Sequence, residues 1–380
     1  MSAAAPEPAP VELAALRRAR ELALRARGRV SPNPLVGAVV LRDGLTVSEG
    51  WHEGPGLPHA EAMALERAGD AARGATVVCT LEPCSHHGRT PPCAHALVRA
   101  GVSRVVIGCA DPLERDRDGG SEVLRDAGIE VAFAGDAEAE ACRELISDFL
   151  TAGITGRPEV TLKMATSLDG KVATVTGESR WISGPASRAM VHRWRADADA
   201  VAVGIGTALA DDPRLTARDL EGPVRQPMRV VFDGAARLPV GSALVRGARD
   251  LPVIVVAGAE APDERVAALE GAGAEVMRVG GDAAQRTGAA LDLLGERGVQ
   301  SLFVEGGAGL AAGLVHAGVV DRIAWFLAPM LIGGVGAPSA LGGRGSTTLA
   351  DAPRLLGMGV EPVGDDILVR GRLRPPAWAD

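Results

Sequence analysis

A histidine, a glutamate and two cysteines in the first quarter of the chain have the spacing of a hydrolytic metal site. His59 lies two residues before Glu61, and Cys84 and Cys93 follow within the next 32 residues. An imidazole and two thiolates suit Zn²⁺, and three protein ligands leave a fourth position for water, whose pKa the metal lowers to about 7. A carboxylate beside that water can carry its proton to a leaving amine. We therefore predict a zinc site with the histidine and both cysteines as ligands and with Glu61 as the catalytic proton carrier.

Two structural interpretations of the same residues compete with catalysis. The cysteines could be buried core thiols, or His86 or His87 could complete a closed structural zinc site. The context favours catalysis, because a predicted strand at 76–81 ends just before the first cysteine and prolines precede the other two ligands. Proline is tolerated at helix starts, so two predicted helices would each present a ligand from the first turn.

Length and composition bound the class of protein. A chain of 380 residues is long enough for two domains, each with its own core. No apolar run approaches 18 residues, so we expect no membrane span. The segment 1–10 lacks the basic-then-apolar order of a secretory signal, and five cysteines, two of them assigned to metal, suit a reducing compartment. We therefore expect a cytoplasmic enzyme.

The charge and the aromatic content argue against nucleic acid as the main partner. The 40 basic and 48 acidic residues give a net charge of −8, whereas phosphate backbones are bound by excess positive charge. The chain has no tyrosine and only five Phe and five Trp residues, so base-stacking platforms are scarce. A zinc deaminase of nucleic-acid bases with an accessory domain is therefore the weaker alternative.

Apolar strand-like runs alternate with helical segments along most of the chain, which indicates an α/β fold. The first half contains four predicted strands, at 36–41, 76–81, 104–108 and 129–133. A turn-rich segment at 151–157 predicts a linker between one domain over 1–150 and a second over 158–380. The second half contains eight predicted strands, of which the first is 160–164 and the last is 366–373.

The second half carries weaker signals for binding an anion. The predicted strand at 301–305 runs into Gly306-Gly307-Ala308-Gly309 and a helix, and such a turn presents backbone N–H groups to phosphate. Packing alone explains many glycine-rich turns, and this one lacks the Gly-x-Gly-x-x-Gly order of a Rossmann fingerprint. A dinucleotide would therefore bind through another fold. Arg188 and Arg195 lie two turns apart on one predicted helix face, where arginines are commonly solvated.

Taken together, the motifs of both halves resemble the bifunctional deaminase/reductase of riboflavin biosynthesis. Those of the first half are Ser31-Pro32-Asn33-Pro34, Pro58-His59-Ala60-Glu61 and Thr80-Leu81-Glu82-Pro83-Cys84, followed by eight residues before the second cysteine. Those of the second half are Ser167-Leu168-Asp169-Gly170, Leu209-Ala210-Asp211-Asp212-Pro213 and Val304-Glu305-Gly306-Gly307. The resemblance spans 15–373, whereas zinc deaminases of nucleobases have only two residues between the cysteines.

The resemblance implies a cytidine-deaminase-like α/β/α domain that binds Zn²⁺, followed by a dihydrofolate-reductase-like α/β domain that binds NADPH. The first would remove a ring amine from a diaminopyrimidinone that carries a phosphoribosylamino group. The second would reduce the ribosyl chain of the resulting uracil to a ribityl chain. Small-molecule phosphoribosyl pyrimidine substrates and a homo-oligomer, either a dimer or a tetramer, are implied as well. A chain with one inactive domain is a further alternative.

The resemblance also assigns binding residues by position. In the first site the substrate contacts would be Asn33, His52 and Arg89. In the second site they would be Ser179, Arg195, Leu215, Arg218 and Glu305. The NADPH contacts would be Ala165, Trp181, Thr207, Asp211, Gly234, Gly307, Ala308 and Gly309. Guanidinium groups form bidentate hydrogen bonds with phosphate, so Arg195 and Arg218 suit the phosphate of the substrate.

Two segments depart from the family pattern. A charged loop at 113–118 stands where the family has Asn-Pro and a Gly-x-Gly loop, although Gly120 stays in register. Asp233-Gly234 stands where the family often has a serine that contacts the cofactor. A backbone contact could persist at that position, whereas a hydroxyl contact could not.

Overall fold

Two compact units make up the chain. The computed structural model describes residues 7–86, 91–114, 119–222 and 224–379. The boundary between the units falls between Ile154 and Thr155. None of the helices in these ranges is both long enough and apolar enough to cross a membrane.

The first unit is built on a five-stranded mixed sheet. Its strands are β1 (Gly37–Arg42), β2 (Leu45–Trp51), β3 (Thr76–Leu81), β4 (Arg104–Cys109) and β5 (Glu130–Phe133). The order across the sheet is β2-β1-β3-β4-β5, in which β1 is antiparallel to both neighbours and β3, β4 and β5 are parallel. The helices are α1 (Pro10–Ala23), α2 (Ala60–Ala68), α3 (Cys93–Ala100), α4 (Gly120–Asp126), α5 (Asp136–Leu145) and α6 (Ser147–Thr155).

Helices cover both faces of this sheet. On one face, Val40 and Ile107 pack in a core with residues of α2, α3 and α4. On the other face, a Cβ built on Gly108 would lie 3.1 Å from Leu16 of α1 and 2.5 Å from Cys142 of α5. Strands buried on both faces are continuous apolar runs rather than alternating ones, which is the pattern of the Val-Val-Ile run in β4.

The second unit is built on a nine-stranded sheet. Its strands are β6 (Glu159–Ser167), β7 (Ala200–Gly204), β8 (Met228–Phe232), β9 (Val253–Gly258), β10 (Glu275–Val279), β11 (Ser301–Glu305), β12 (Arg322–Ala328), β13 (Leu356–Val363) and β14 (Asp366–Arg372). The helices are α7 (Pro185–Asp197), α8 (Ile205–Asp211), α9 (Ala243–Arg246), α10 (Asp263–Gly271), α11 (Ala283–Glu296) and α12 (Ala308–His316). In the order β10-β9-β8-β7-β11-β6-β12-β14-β13, the strands from β10 to β12 are parallel and the last two are antiparallel.

The carboxyl ends of adjacent parallel strands form one edge of this sheet. Gly234, Thr207 and Gly307 each lie within three residues of the ends of β8, β7 and β11, which are neighbours. Ligands of open α/β sheets bind outside the carboxyl ends of the strands. The topology therefore places three of the predicted cofactor residues at the same edge.

The buried carboxylate of Asp366, at the start of β14, fixes the start of α7. Its Oδ2 accepts hydrogen bonds from the amide of Gly184 at 2.7 Å and from the hydroxyl of Ser187 at 2.5 Å. Gly184 is the N-cap residue of α7 and has no side chain to satisfy the first amides of the helix. A residue of the last strand therefore caps a helix whose N-cap residue lies 182 positions earlier.

The predicted α/β class is confirmed, and two strands were not predicted. β2 follows Asp43-Gly44, whose φ angles of 53° and 78° suit a two-residue hairpin turn, so the signal was present in the sequence. β13 contains two glycines and a proline, which are poor strand formers. The segment at 151–157 that the sequence predicted as a linker is helical as far as Thr155, because α6 buries Leu150 and Thr151.

Two glycines of α11 form a matched pair for testing close packing in the second unit. A Cβ on Gly295 would lie 1.9 Å from the carbonyl oxygen of Gly156, whereas no atom of the described residues lies within 4 Å of the equivalent position on Gly288. We expect Gly295→Ala to lower the free energy of unfolding of this unit by about 1–3 kcal/mol through overpacking. Gly288→Ala should raise it by about 0.5–1 kcal/mol, because alanine is the better helix former.

Thermal unfolding followed by tryptophan fluorescence measures this difference. Tryptophan reports mainly on the second unit, which contains Trp181, Trp194, Trp325 and Trp378. Equal melting temperatures for the two variants would contradict the close contact at Gly295.

Candidate functional site

Three elements bring the predicted metal ligands together. His59 is the N-cap residue of α2, Cys84 lies in the loop after β3, and Cys93 is the first residue of α3. The amide of Cys93 donates to the Cys84 sulfur at 3.4 Å, and the amide of Ala94 donates to the Cys84 carbonyl at 3.1 Å. The start of α3 therefore holds the cysteine loop, and two helix starts meet at one point.

The spacing of the ligand atoms fits a tetrahedral zinc ion. His59 Nδ1 lies 3.6 Å from Cys84 Sγ and 3.2 Å from Cys93 Sγ. Zinc bonds of about 2.0 Å to nitrogen and about 2.3 Å to sulfur, at a tetrahedral angle, would separate the two atoms by about 3.5 Å. The three ligand atoms lie within 4.8 Å of one another, and the residues that the structure describes contain no second group of this kind.

The closed structural site is the alternative that the sequence left open. His86 is exposed and is not a member of the ligand group. His87 and Arg89 fall in the segment 87–90, which lies outside the described residues, as does the part of the charged loop at 115–118. Among the residues that the structure describes, the group has three protein ligands, which is the number found in catalytic zinc sites.

Glu61 is buried beside the ligands. It lies in the first turn of α2, two residues after His59, and only 3% of its surface is exposed. Burial and the neighbouring Cys84 charge raise the pKa of its carboxyl group to about 7. A group with a pKa near neutrality can both accept and release a proton, which is the requirement for a general acid–base.

The two sulfurs of the site influence each other. The hydrogen bond from Cys93, together with that of His59, lowers the pKa of the Cys84 thiol. The hydrogen bond with Cys84 and burial raise the pKa of the Cys93 thiol. One thiolate is therefore stabilised at the expense of the other, and a divalent metal would allow both sulfurs to be anionic.

His52 and Asn33 form a fixed pair next to the ligands. His52 Nδ1 donates to the Pro58 carbonyl at 3.0 Å, which leaves Nε2 to accept from Asn33 Nδ2 at 2.9 Å. Burial lowers the pKa of His52, so the ring is neutral near pH 7 and keeps this tautomer. The His52 ring packs edge-on against His59, with 5.4 Å between the ring centroids. Two predicted substrate residues therefore lie beside the metal ligands.

Glu82 and Gly120 support the cysteine loop, and the sequence reasoning missed the role of Glu82. The Glu82 carboxylate accepts hydrogen bonds from the amides of Ser121 at 2.9 Å and Asp111 at 3.3 Å, so it caps the start of α4. A Cβ on Gly120 would lie 1.6 Å from the Pro83 carbonyl oxygen. The glycine that stays in register in the sequence therefore lets α4 pack directly against the residue before the first cysteine ligand.

In the second unit, Arg195 and Glu305 form a buried ion pair. Arg195 of α7 donates through Nε and Nη2 to the two carboxylate oxygens of Glu305, and the Nη2 contact is 2.8 Å long. Arg195 Nη1 donates to the Thr216 carbonyl at 3.0 Å. Burial acts to raise the pKa of Glu305, but Arg195 outweighs it and the pKa is lowered. Glu305, at the end of β11, is therefore a fixed anion at neutral pH.

Lys163 places an amino group beside Glu305 and was not among the predicted site residues. It lies opposite Glu305 in the parallel register of β6 and β11, and its Nζ lies 5.9 Å from the ring centroid of Phe326. Burial lowers the pKa of Lys163, and Glu305 partly offsets this effect. The available signal was a lysine within an apolar strand, where a buried charge requires a partner.

The glycine-rich turn after β11 meets the start of α8. Gly306 and Gly307 have φ angles of 58° and 94°, which residues with side chains rarely adopt. A Cβ on Gly307 would lie 2.8 Å from Thr207 Oγ1. The turn leads into the first turn of α12, which contains Ala308 and Gly309. Glycines at a helix start leave the backbone N–H groups open, which suits a phosphate group of a dinucleotide.

Two other predicted cofactor residues lie near helix ends, Trp181 in the loop before α7 and Asp211 at the end of α8. Trp181 is 64% exposed, and the guanidinium of Arg188 lies 4.6 Å from its ring centroid. Asp211 ends α8, and its carbonyl accepts a hydrogen bond from Arg180 Nη2 at 2.5 Å. The indole ring of Trp181 is therefore open to a ligand.

The loop after α8 contains two predicted substrate residues of opposite exposure. Leu215 is buried and has a φ of 53°, whereas Arg218 is exposed, with Nε 3.8 Å from Asp219. Ser179 lies in the loop before α7. The side chain of Leu215 is therefore part of the core, whereas the guanidinium of Arg218 is open to a ligand.

Asp233 and Gly234, where the sequence departs from the family pattern, differ in burial. The buried Asp233 Oδ2 accepts the Leu238 amide at 2.7 Å, so this carboxylate shapes the loop after β8. Gly234 is exposed. Ala165 lies on β6 and packs against the core.

Both halves of the chain match known protein families. The cytidine and deoxycytidylate deaminase zinc-binding region matches residues 11–109, and the RibD C-terminal domain matches residues 158–369. Riboflavin biosynthesis protein RibD of Aquifex aeolicus is 40% identical over 92% of this chain and 95% of its own length. The Escherichia coli protein of the same name is 39% identical over 92% of this chain and 96% of its own length.

Solved structures of similar proteins extend this likeness to the backbone. Acinetobacter baumannii RibD, form 1, superposes with a TM-score of 0.84 at 35% identity and covers 95% of this chain and 98% of that one. The Thermotoga maritima diaminohydroxyphosphoribosylaminopyrimidine deaminase/5-amino-6-(5-phosphoribosylamino)uracil reductase gives a TM-score of 0.82 at 35% identity, with the same coverage. The similarity therefore spans both units.

Metal analysis of purified protein tests the ligand group. We expect about one zinc ion per wild-type chain and almost none in Cys93→Ser, because a hydroxyl is a poor zinc ligand compared with a thiolate. Cys142→Ala is the matched control, since Cys142 is also a buried free thiol but is not in the ligand group. Full zinc content in Cys93→Ser, or its loss in Cys142→Ala, would contradict the assignment.

Proposed function

Because this chain belongs to the RibD family, we propose that its two units act in succession on one phosphoribosyl pyrimidine. The protein is a bifunctional deaminase/reductase of riboflavin biosynthesis, with a zinc-binding deaminase unit and an NADPH-dependent reductase unit. The proposed substrates are the two compounds that appear in the name of the Thermotoga maritima relative. The group of three ligands with a buried carboxylate beside it is the observation that carries the first step.

In the deaminase unit, His59, Cys84 and Cys93 would hold Zn²⁺, which lowers the pKa of a water molecule and so supplies a nucleophile at neutral pH. Glu61 is the proposed proton carrier. Its carboxylate takes the proton of the attacking water and releases it to the nitrogen of the departing amine, which leaves as ammonia. Its burial supports this role, because a carboxyl group with a raised pKa holds the proton between these two events.

Substrate binding in the deaminase unit is assigned to Asn33, His52 and Arg89. The hydrogen bond between Asn33 and His52 fixes the orientation of both side chains before substrate arrives. A neutral His52 next to His59 adds no positive charge that would compete with the metal. A preorganised amide suits the hydrogen-bonding edge of a pyrimidine.

In the reductase unit, Arg195 and Glu305 are the proposed centre of the substrate site, with Ser179, Leu215 and Arg218 around them. Arg195 is held by Glu305 and by the Thr216 carbonyl, so its guanidinium has a fixed direction. Lys163 lies opposite Glu305 in the register of β6 and β11. Two arginines at one site suit a phosphate-bearing substrate.

NADPH supplies the hydride when it is bound to this unit. Its proposed contacts are Ala165, Trp181, Thr207, Asp211, Gly234, Gly307, Ala308 and Gly309. The contact between Gly307 and Thr207, which leaves no room for a side chain, supports a phosphate position at the start of α12. The role of the chain is to position the cofactor against the substrate held by Arg195.

The chain is also proposed to form a homo-oligomer and to work in the cytoplasm. Leu356, Met358 and Val360 alternate along the edge strand β13 and are each at least 46% exposed, which supports a contact with a second copy. The five cysteines are free thiols, which suits a reducing compartment.

Replacing Glu61 by glutamine tests the proton carrier. We expect Glu61→Gln to keep its zinc but to lower the rate of ammonia release by about 10²–10⁴-fold, because an amide cannot carry the proton. Reduction of the uracil substrate by the same protein should be unchanged. Mass spectrometry of the products formed from the diaminopyrimidine, with and without NADPH, measures both steps. Glu66→Gln, on the exposed side of α2, is the control, and rapid deamination by Glu61→Gln would remove Glu61 from the mechanism.

Replacing Arg195 by lysine tests the substrate site of the reductase unit. An ammonium cannot make the paired contacts with Glu305 together with the Thr216 contact, so we expect KM for the uracil substrate to rise at least about tenfold. Binding of NADPH, measured by its fluorescence, and deamination should both be unchanged. Arg193→Lys, an exposed neighbour on α7, serves as the control. An unchanged KM in Arg195→Lys would exclude Arg195 from substrate binding.

A further inference from the structure

The proposed NADPH contacts follow the strand order along the carboxyl edge of the second sheet. Ala165 lies on β6, Gly307 follows β11, Thr207 follows β7 and Gly234 follows β8, and these strands are neighbours in the order β6-β11-β7-β8. Adjacent strands lie about 4.8 Å apart, so the row spans about 14 Å. An extended dinucleotide can therefore lie across the strand ends, with its two halves on opposite sides of the turn at Gly307.

The position of the substrate site decides which half lies on which side. Glu305, a proposed substrate contact, ends β11, and Lys163 lies opposite it on β6. The nicotinamide ring that delivers the hydride must meet the substrate, so it belongs to the β6 side of the row. The adenosine half then lies over the ends of β8 and β9, where Gly234 and Gly258 are found.

The guanidinium of Arg286, at the start of α11, lies against both of these glycines. Its Nη2 would be 3.6 Å from a Cβ built on Gly234, and its Nη1 would be 3.6 Å from a Cβ built on Gly258. Gly234 is exposed, so a ligand can reach this position. Asp233-Gly234 is also the segment in which the family often has a serine that contacts the cofactor. The guanidinium is therefore a polar group next to the position where this chain has no hydroxyl.

Most donors of this guanidinium are available. Arg286 Nη1 donates to the Gly281 carbonyl at 2.8 Å, and no other described residue makes a hydrogen bond or an ion pair with the guanidinium. The neighbouring carboxylate of Asp282 is the cap of α11, and its Oδ1 accepts hydrogen bonds from the amides of Ala284 and Gln285, each at 2.9 Å. Arg286 is only half-buried. Its Nε and Nη2 can therefore bind an anion.

Two further arginines add positive charge to the loop after β8. Arg265 Nη1 donates to the Ala235 carbonyl at 3.2 Å. Arg237 Nε lies 3.7 Å from the buried carboxylate of Asp233. Three guanidinium groups therefore border this loop, and clustered positive charge of this kind attracts an anionic ligand.

We propose that Arg286 binds the 2′-phosphate of NADPH and thereby makes this chain select NADPH over NADH. The inference rests on the proposed NADPH site and adds the residue that recognises the phosphate. Nε and Nη2 donate paired hydrogen bonds to two phosphate oxygens, which is the geometry that guanidinium groups favour. NADH carries a hydroxyl in place of this phosphate, and a hydroxyl cannot accept such a charged pair of bonds.

Binding of the two dinucleotides by the full chain tests the proposal. Fluorescence titration measures Kd for NADPH and for NADH without turnover. We expect Arg286→Ala to raise Kd for NADPH at least about tenfold, because a pair of charge-assisted hydrogen bonds is lost, and to leave Kd for NADH within about twofold. Calorimetry with adenosine 2′,5′-bisphosphate and adenosine 5′-monophosphate, which differ only in the 2′-phosphate, should give the same contrast.

Two further variants separate the role of the charge from that of the helix. Arg286→Lys keeps the positive charge but loses the paired donors, so we expect it to retain part of the preference for NADPH. Arg297→Ala is the matched control, because Arg297 lies at the other end of α11 and donates to Glu275. It should bind both dinucleotides like the wild type.

The contrast between the two dinucleotides decides the matter. An unchanged Kd for NADPH in Arg286→Ala would overturn the proposal. An equal loss of NADH binding would indicate a structural role for Arg286 and would overturn it as well, as would equal affinity of the wild-type protein for NADPH and NADH. A wild-type protein that binds neither dinucleotide would instead refute the proposed cofactor site and, with it, this inference.

Discussion

Each unit of this chain holds one carboxylate out of water at its site, and each of these anions needs compensation. Glu305 obtains it within the chain, from the bidentate contact of Arg195, and its pKa falls. Glu61 lies beside the sulfurs of Cys84 and Cys93 instead, and burial together with the charge of Cys84 raises its pKa to about 7. Two carboxylates of similar burial are thereby set to opposite tasks, one as a permanent charge and the other as a proton carrier. The charged groups next to each carboxylate therefore decide whether it stays ionised or carries a proton.

The surrounding elements serve to keep these groups in place. In the first unit, Gly120 packs on the Pro83 carbonyl and Glu82 caps α4, so the cysteine loop cannot move without breaking both contacts. In the second unit, the turn at Gly306 and Gly307 brings the end of β11 against α8. Sites of this kind depend on backbone approaching backbone, which is why glycine recurs at their margins.

The spacing of motifs in the sequence predicted the metal ligands and Glu61, but it did not predict the ion pair of Arg195 with Glu305 or the position of Lys163. His59 and Glu61 are two residues apart on one helix start, so their spacing was readable. The ion pair between Arg195 and Glu305 joins residues 110 positions apart, and only the sheet order of the second unit reveals it. Lys163 was missed for the same reason, because its partner lies on another strand. The strand β13 was missed because glycine and proline carry no strand signal, although pairing with β14 stabilises it.

The cap that Asp366 provides for α7 has a consequence for the order in which the protein matures on the ribosome. All residues of the first unit have been synthesised by the time residue 154 emerges, so that unit can close while its successor is still being made. The helix that carries Arg195 receives its cap only when β14 is released and inserts between β12 and β13. A nascent chain would therefore become competent for the first reaction well before the second.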